Sequence, residues 1–377
     1  MKARRLIALC PLLLLACGCR IEPPLHLRQT LDLEIELALD LDVDLIWQAD
    51  WENRWTFAWD PQVHGELAYE APRSVRMHSY ARNADGLISS MQVYNFMGTS
   101  GSIRAVAGTY DFLFYNNDSE ALLFDTESSS YDVYAYTRTI SSGLKLSTPV
   151  KTLGQKQTGT KGDAELEAED DPVVLQPEGL FSSFTPERFI SDDPADYELV
   201  DGRYVVHMEG TLHPSDFIWL VQVRLLNNAG RVIGSAGGCA LTGMAEGVDL
   251  KTGISGTKNV TVPSDLLMDR SVDPDQLGAR IVSFGIPGCD AYDPQSVAAA
   301  PAGKHFLVLS IFYNNGTYNN IHVDVTDQVR ALPTGGVISL ELDVDDFPPE
   351  HGQQGPGGFE ALLEGWEEHT GNIDIIY

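Results

Sequence analysis

The stretch Leu31–Leu45, LDLEIELALDLDVDL, alternates without a break over fifteen positions. Every odd position is Leu, Ile or Val, while the even ones are Asp32, Glu34, Glu36, Ala38, Asp40, Asp42 and Asp44. A period of two describes a strand with one face in a core and the other in water. Fully extended, the segment would run about 50 Å, longer than a usual strand, so it is expected to bend, to split, or to continue as a stalk. Acidic side chains on its wet face discourage edge-to-edge pairing. They do not make a calcium site, because alternate positions on a strand stand about 7 Å apart and cannot share one ion without help from loops. No metal site is assigned.

The rest of the chain keeps that character. Short apolar or alternating runs recur between Gly, Asn, Asp and Pro, among them SVRMHSYA, SMQVYNFM, FIWLVQVRLL and HFLVLSIFY. Helical periodicity is almost absent, which is the all-β signature. LLNNAGRVIG and FYNNGTYNNI read as hairpins, since Asn and Gly tolerate the positive φ angles of tight turns. With 377 residues, two cores are expected. The expected layout is a β-sandwich over 31–160, a polar linker over 161–195, a second β-sandwich over 196–347, and a flexible acidic tail over 348–377 that ends in a candidate strand.

The first residues say where such a chain goes. Lys2, Arg4 and Arg5 precede the apolar run Leu6–Ala16, too short to span a bilayer comfortably and fitting the centre of a secretory signal. The run ends in LLLLACGCR, similar to a bacterial lipobox, so residues 1–18 are expected to be a signal peptide and 19–30 a tether. Cys19 is the favoured lipidation site, with Cys17 as the alternative. Export leaves Cys239 and Cys289, which in an oxidising compartment are expected to form a disulfide closing a loop of about 50 residues; two buried thiols are the alternative. The net charge of −29 opposes nucleic acid and anionic lipid as partners.

Catalytic signatures are missing from the sequence. GTSGS and GISGT are Gly/Ser turns rather than nucleophile elbows, and there is no P-loop, no dinucleotide fingerprint and no paired histidines at metal-ligand spacing. No cofactor is implied. A pair of carboxylates facing across a cleft would make a hydrolase, but strand sequences do not reveal such a relation. Trp47, Trp51, Trp55 and Trp59 recur every four residues. Packing against a sandwich edge is the favoured role for these rings, and a sugar-stacking platform is the alternative.

The lipobox, the run LDLEIELALDLDVDLIW, and the phrases RAVAGTYDFLFYNNDSE, SAGGCALTGMAEGVDLKTG and IHVDVTDQV follow one another in this order. Together they resemble the Bacteroidales fimbrillin-like lipoproteins, the FimB/Mfa-type anchor and accessory subunits and related domains. The resemblance implies two tandem transthyretin-like β-sandwiches on the outer membrane, held by lipid, with a structural and non-enzymatic role in a fimbria-like assembly. It implies other fimbrial subunits as partners through donor-strand exchange, and a host protein or glycan as a further partner. Polymerising members lose an N-terminal strand by cleavage after an arginine. Arg54, Arg73, Arg76 and Arg82 are the candidates here, none in an obvious cleavage motif, so an uncleaved, anchor-like role is favoured. A surface glycan-binding lipoprotein is the alternative function.

Overall fold

A computed structural model describes residues 33–41, 51–61, 67, 69–126, 131–140, 151–153, 171–268, 273–290, 293–298 and 300–348. The signal peptide, Cys17, Cys19, Trp47 and the tail beyond 348 lie outside the described residues. Within the opening alternation, β1 spans Leu33–Leu41, with Leu33, Ile35, Leu37 and Leu39 buried and Glu36, Ala38 and Asp40 exposed. The period-two reading therefore holds side chain by side chain.

Downstream come β2 (Ser74–Arg82), β3 (Ile88–Met97), β4 (Ser100–Ala105), β5 (Gly108–Asn116), β6 (Leu122–Asp125), β7 (Tyr134–Thr137) and β8 (Lys151–Leu153). β9 (Phe181–Ile190), β10 (Glu198–Val200) and β11 (Arg203–Pro214) follow. Sheet order runs β3-β2-β5-β9, then through a two-residue pairing of β9 with β11 into β11-β1-β4, with β10 on β11. β1 lies inside this second arm, parallel to β11 and antiparallel to β4. The arms share one core in which Leu33, Ile35 and Leu37 meet Met77, Phe112 and Phe114. Two layers over one core make a β-sandwich.

The second sandwich uses β12 (Phe217–Leu226), β13 (Val232–Ala245), β14 (Gly247–Asp249), β15 (Asn259–Ser264) and β16 (Gln276–Ser283). It is completed by β17 (Phe306–Tyr313), β18 (Tyr318–Asp324), a short helix Thr326–Ala331 and β19 (Gly336–Asp343). Its sheets are β16-β12-β19 and β15-β13-β17-β18-β8, with Trp219, Leu241, Ile281, Leu309 and Ile338 in the core between them. A third small sheet, β14-β7-β6, joins strands from both parts of the chain. Tyr80, Leu113, Tyr115, Ala135, Val248 and Phe284 are buried there together, a junction core.

Four expectations are corrected. First, the region assigned to the linker contains β9, and β10 and β11 complete the first sandwich rather than open the second. β9 escapes a sequence reading because it is bulged: Tyr110 pairs with Arg188 and Phe112 with Thr185, so Asp111 alone faces two residues. A bulge breaks the alternation that identifies a strand. Second, β8 belongs to the second sandwich, parallel to β18. Third, LLNNAGRVIG is a turn, with Asn227, Ala229 and Gly230 at positive φ, but β12 and β13 lie in different sheets. It crosses between layers and is not a hairpin, whereas β17 and β18 do form one.

The fourth concerns the cysteines. Cys239 and Cys289 are free, buried thiols rather than a disulfide. Cys239 is held on β13 between β15 and β17. Cys289 lies in the loop after β16, its carbonyl accepting from Ser255 N–H. Each thiol packs into the second core from its own element, and burial pushes both thiol pKa values up, away from the reactive thiolate.

Candidate assembly surface and the tryptophan cover

The acidic face of β1 is answered first by its neighbour. Glu34 accepts from Arg203 at 2.7 Å, and Glu36 lies 3.3 Å from His207, both partners standing on β11. The Arg203 guanidinium leads the effects that hold the Glu34 carboxyl below the ordinary carboxylate range. These exposed pairs orient the strand and contribute little stability. The main anchor of β1 is its four buried side chains, together with ladders on both edges.

β3 presents the opposite case. Its sequence, ISSMQVYNFM, holds no charged residue in a chain of net charge −29. One edge pairs with β2 along its length; the other carries no strand among the described residues. Tyr94 and Phe96 point to the core, and Met91, Val93 and Met97 stand out, with Met97 87% exposed. Leu87 extends the apolar strip beyond one end. At the other end Gly98, at φ 78°, turns the chain into β4, where Leu39 N–H donates to the Thr99 carbonyl at 2.9 Å. Proteins protect free edges with charge, proline or bulges. This outer edge has none of these, apart from a register irregularity at its first residues. An unpaired strand of this kind is chemically equipped to accept another strand, with backbone hydrogen bonds giving affinity and Met91, Val93 and Met97 giving side-chain contact. Sequence reading found the strand but not that it lies at an edge. The signal available was its lack of charge.

The tryptophans serve a different surface. β12 reads as a nearly unbroken apolar run because both of its faces are covered. Trp219, Val221 and Val223 face the second core, and Ile218 and Leu220 face outward beside Val282 and Val337. Trp51, Trp55, Trp59, Leu67 and Tyr69 pack over this outer face. Trp51 and Trp55 stack with ring centroids 4.6 Å apart, and Trp59 meets both edge-on. Gln222, a polar residue of that face, ties the cover down. Its Nε2 donates to the Arg54 carbonyl at 2.7 Å, and its Oε1 accepts from Thr56 N–H at 3.0 Å. A side-chain amide thus replaces a strand partner for the covering segment, and a buried glutamine is satisfied in the same step.

The bulge of β9 is fixed by a second buried polar knot. The Asp111 carboxylate, fully buried, accepts from Arg82 Nε at 2.8 Å and Nη2 at 2.6 Å, and from Glu187 N–H at 2.8 Å. Burial pushes the Asp111 carboxyl up, but the Arg82 fork and the other donors outweigh it and hold the group below its usual range. The fork and the bulge fix each other, since Glu187 sits at φ 52°.

A family model for a domain of unknown function, DUF5119, matches residues 57–265, more than half of the chain. The chain belongs to the DUF5119 family. In this DUF5119 protein the matched span takes in β2 to β15 and therefore the β3 edge, while β1 precedes it. Solved structures similar to it include a candidate adhesin from Bacteroides ovatus, at 14% identity and a TM-score of 0.47, covering 85% of this chain and 94% of the other. The fimbrial anchor protein Mfa2 from Porphyromonas gingivalis aligns at 11% identity and a TM-score of 0.40, over 83% and 90% of the two chains. A candidate polysaccharide-binding protein from Bacteroides thetaiotaomicron aligns at 8% identity and a TM-score of 0.42, over 82% and 91%. No curated protein matches the DUF5119 chain in sequence.

Proposed function

We propose that this chain is a lipid-anchored, non-catalytic structural subunit of a fimbria-like assembly on the cell surface, and that the free edge of β3 is where a neighbouring subunit docks. The observation that carries the reading is that ten-residue edge, uncharged and open, on a chain whose N-terminus is built like a lipoprotein export signal. The occupant is a strand of a different subunit. A second copy would bring two chains of net charge −29 together, whereas a neutral or basic strand meets no such repulsion. β1 remains in its own sandwich in this role, since removing it would open a core lined by Leu33, Ile35, Leu37 and Leu39. The anchoring lipid is carried by Cys19, or by Cys17. The fimbrial anchor and candidate adhesins among the similar structures are named for roles of the same kind. The test is a deletion strain together with purification of surface fimbriae. The protein is expected to travel with the fimbriae, and its loss to release or lengthen them; unchanged fimbriae in the deletion strain would remove the proposal.

A further inference from the structure

Arg280 stands on β16 opposite Leu220, on the outer sheet face beneath the tryptophan cover. Its Nε is buried without a hydrogen-bond partner, and among the described residues no carboxylate forms an ion pair with its guanidinium. Asp216, whose charge acts on Arg280, is fully buried; one oxygen accepts from Leu180 N–H at 3.0 Å and the other, Oδ1, has no partner. Tyr69 closes the cluster by donating to the Asp216 carbonyl at 2.8 Å. An arginine left with unused donors is costly, and such orphans in a folded protein point to a missing acceptor.

The missing acceptor has room to arrive. Arg280 lines a groove of about 990 Å³ where residues 69–73 and 116–121 meet 175–179 and β16, a size that suits a small ligand. Asn116 and Gln176 line its wall, but their amides are already used. Asn116 donates to the Gly179 carbonyl and accepts from Phe181 N–H, and Gln176 donates to the Pro263 carbonyl and accepts from Val282 N–H. The groups left to a ligand are the donors of Arg280 and of the exposed Arg73, which lies 3.5 Å from Glu70, and rim carboxylates such as Glu120 and Glu178, with Tyr69 and Pro72 adding apolar surface.

We propose that this groove binds a neutral saccharide, Arg280 donating to its hydroxyl oxygens and Glu120 and Glu178 accepting from its hydroxyl protons. A hydroxyl both accepts and donates, which answers both halves of the lining at once. An anion would satisfy Arg280, but the lining carries four carboxylates, Glu70, Asp118, Glu120 and Glu178, against two guanidiniums, Arg280 and Arg73, the second already 3.5 Å from Glu70; a cation would be drawn to the rim and offer Arg280 nothing. The tryptophan segment plays no part, because Trp51, Trp55 and Trp59 are packed on the sheet and none lines the groove. No residue of β3 lines the groove, although the Arg73 carbonyl at its rim accepts from Gly98 N–H at 2.7 Å, just past the end of β3.

The test is ligand-observed NMR on the purified full-length protein with galactose, mannose, N-acetylglucosamine and lactose, and in parallel with glucuronate and inorganic phosphate. At least one neutral sugar is expected to bind, with affinity about tenfold weaker in Arg280→Met, the loss of one charge-assisted hydrogen bond. The exposed rim pair Glu120→Gln with Glu178→Gln keeps the fold in any case and is expected to weaken binding severalfold. Absence of binding by every neutral sugar, preference for glucuronate or phosphate, or wild-type affinity in the rim variant would each overturn the proposal.

Discussion

Asp216→Asn separates an isolated buried carboxylate from an ion-paired one. Burial pushes the Asp216 carboxyl up to about 7, because only one of its oxygens is fed by a donor and Arg280 is not in contact. Its unfolded value is about 3.9. A folded pKa above the unfolded one means that stability from this group is fully present below about pH 4 and is lost as pH rises to about 7. Three pH units at about 1.4 kcal/mol each amount to roughly 4 kcal/mol lost by pH 8. The asparagine carries no such loss. It keeps the acceptor for Leu180 N–H but places an NH₂ group where Oδ1 has no partner, at a cost of about 1–3 kcal/mol. Urea unfolding of both proteins at pH 4, 6 and 8 is the assay. The asparagine variant is expected to be the less stable at pH 4, to gain on the wild type steadily, and to end up about 1–3 kcal/mol the more stable at pH 8. A stability difference that does not change with pH would mean that Asp216 ionises freely in the fold and that burial does not raise its pKa.

Two further outcomes follow from the same structure. Ile35→Ala on β1 is expected to cost about 3 kcal/mol in urea unfolding, because the side chain is 1% exposed, whereas Asp40→Ala on the wet face should stay within about 0.5 kcal/mol; equal costs would place β1 outside the core. Burial also pushes His78, His305 and His322 down to about 4. Their stability contribution is present above about 6.5 and lost as pH falls through 4, roughly 3 kcal/mol each. They outweigh the opposite slope of Asp216, so the melting temperature should fall between pH 6.5 and pH 4, and a rise across that window would contradict the burial of these rings.

How much of this was legible in the sequence depends on how local each signal was. β1 could be read to the residue because alternation is a property of neighbours. FYNNGTYNNI gave a true hairpin for the same reason. LLNNAGRVIG carries the same turn chemistry, yet its strands part into different sheets, a choice made by the cores and not by the turn. β9 was hidden in the linker because Pro186, Glu187 and Arg188 sit at its bulge, and the partner that fixes it, Asp111, is 76 residues away in sequence. The fourfold spacing of the tryptophans suggested one stripe; among the described residues of that segment 51–54 make a helical turn, and what gathers the rings is the outer face of β12. Arg280 and Asp216 gave no signal at all. Their isolation arises only where two strands and the Tyr69 segment meet.

In the proposed assembly the open edge of β3 receives a strand from another subunit. A photo-crosslinking amino acid placed at Val93 or at Met97 in cells that assemble the native surface structures, with the exposed Gln295 as the control position, addresses it directly. An adduct with a different surface protein is expected from both β3 positions and none from the control, and its loss when Gln92→Lys adds charge to the strand. Adducts only between copies of this chain, or none from β3 while the protein is folded and at the surface, would contradict it.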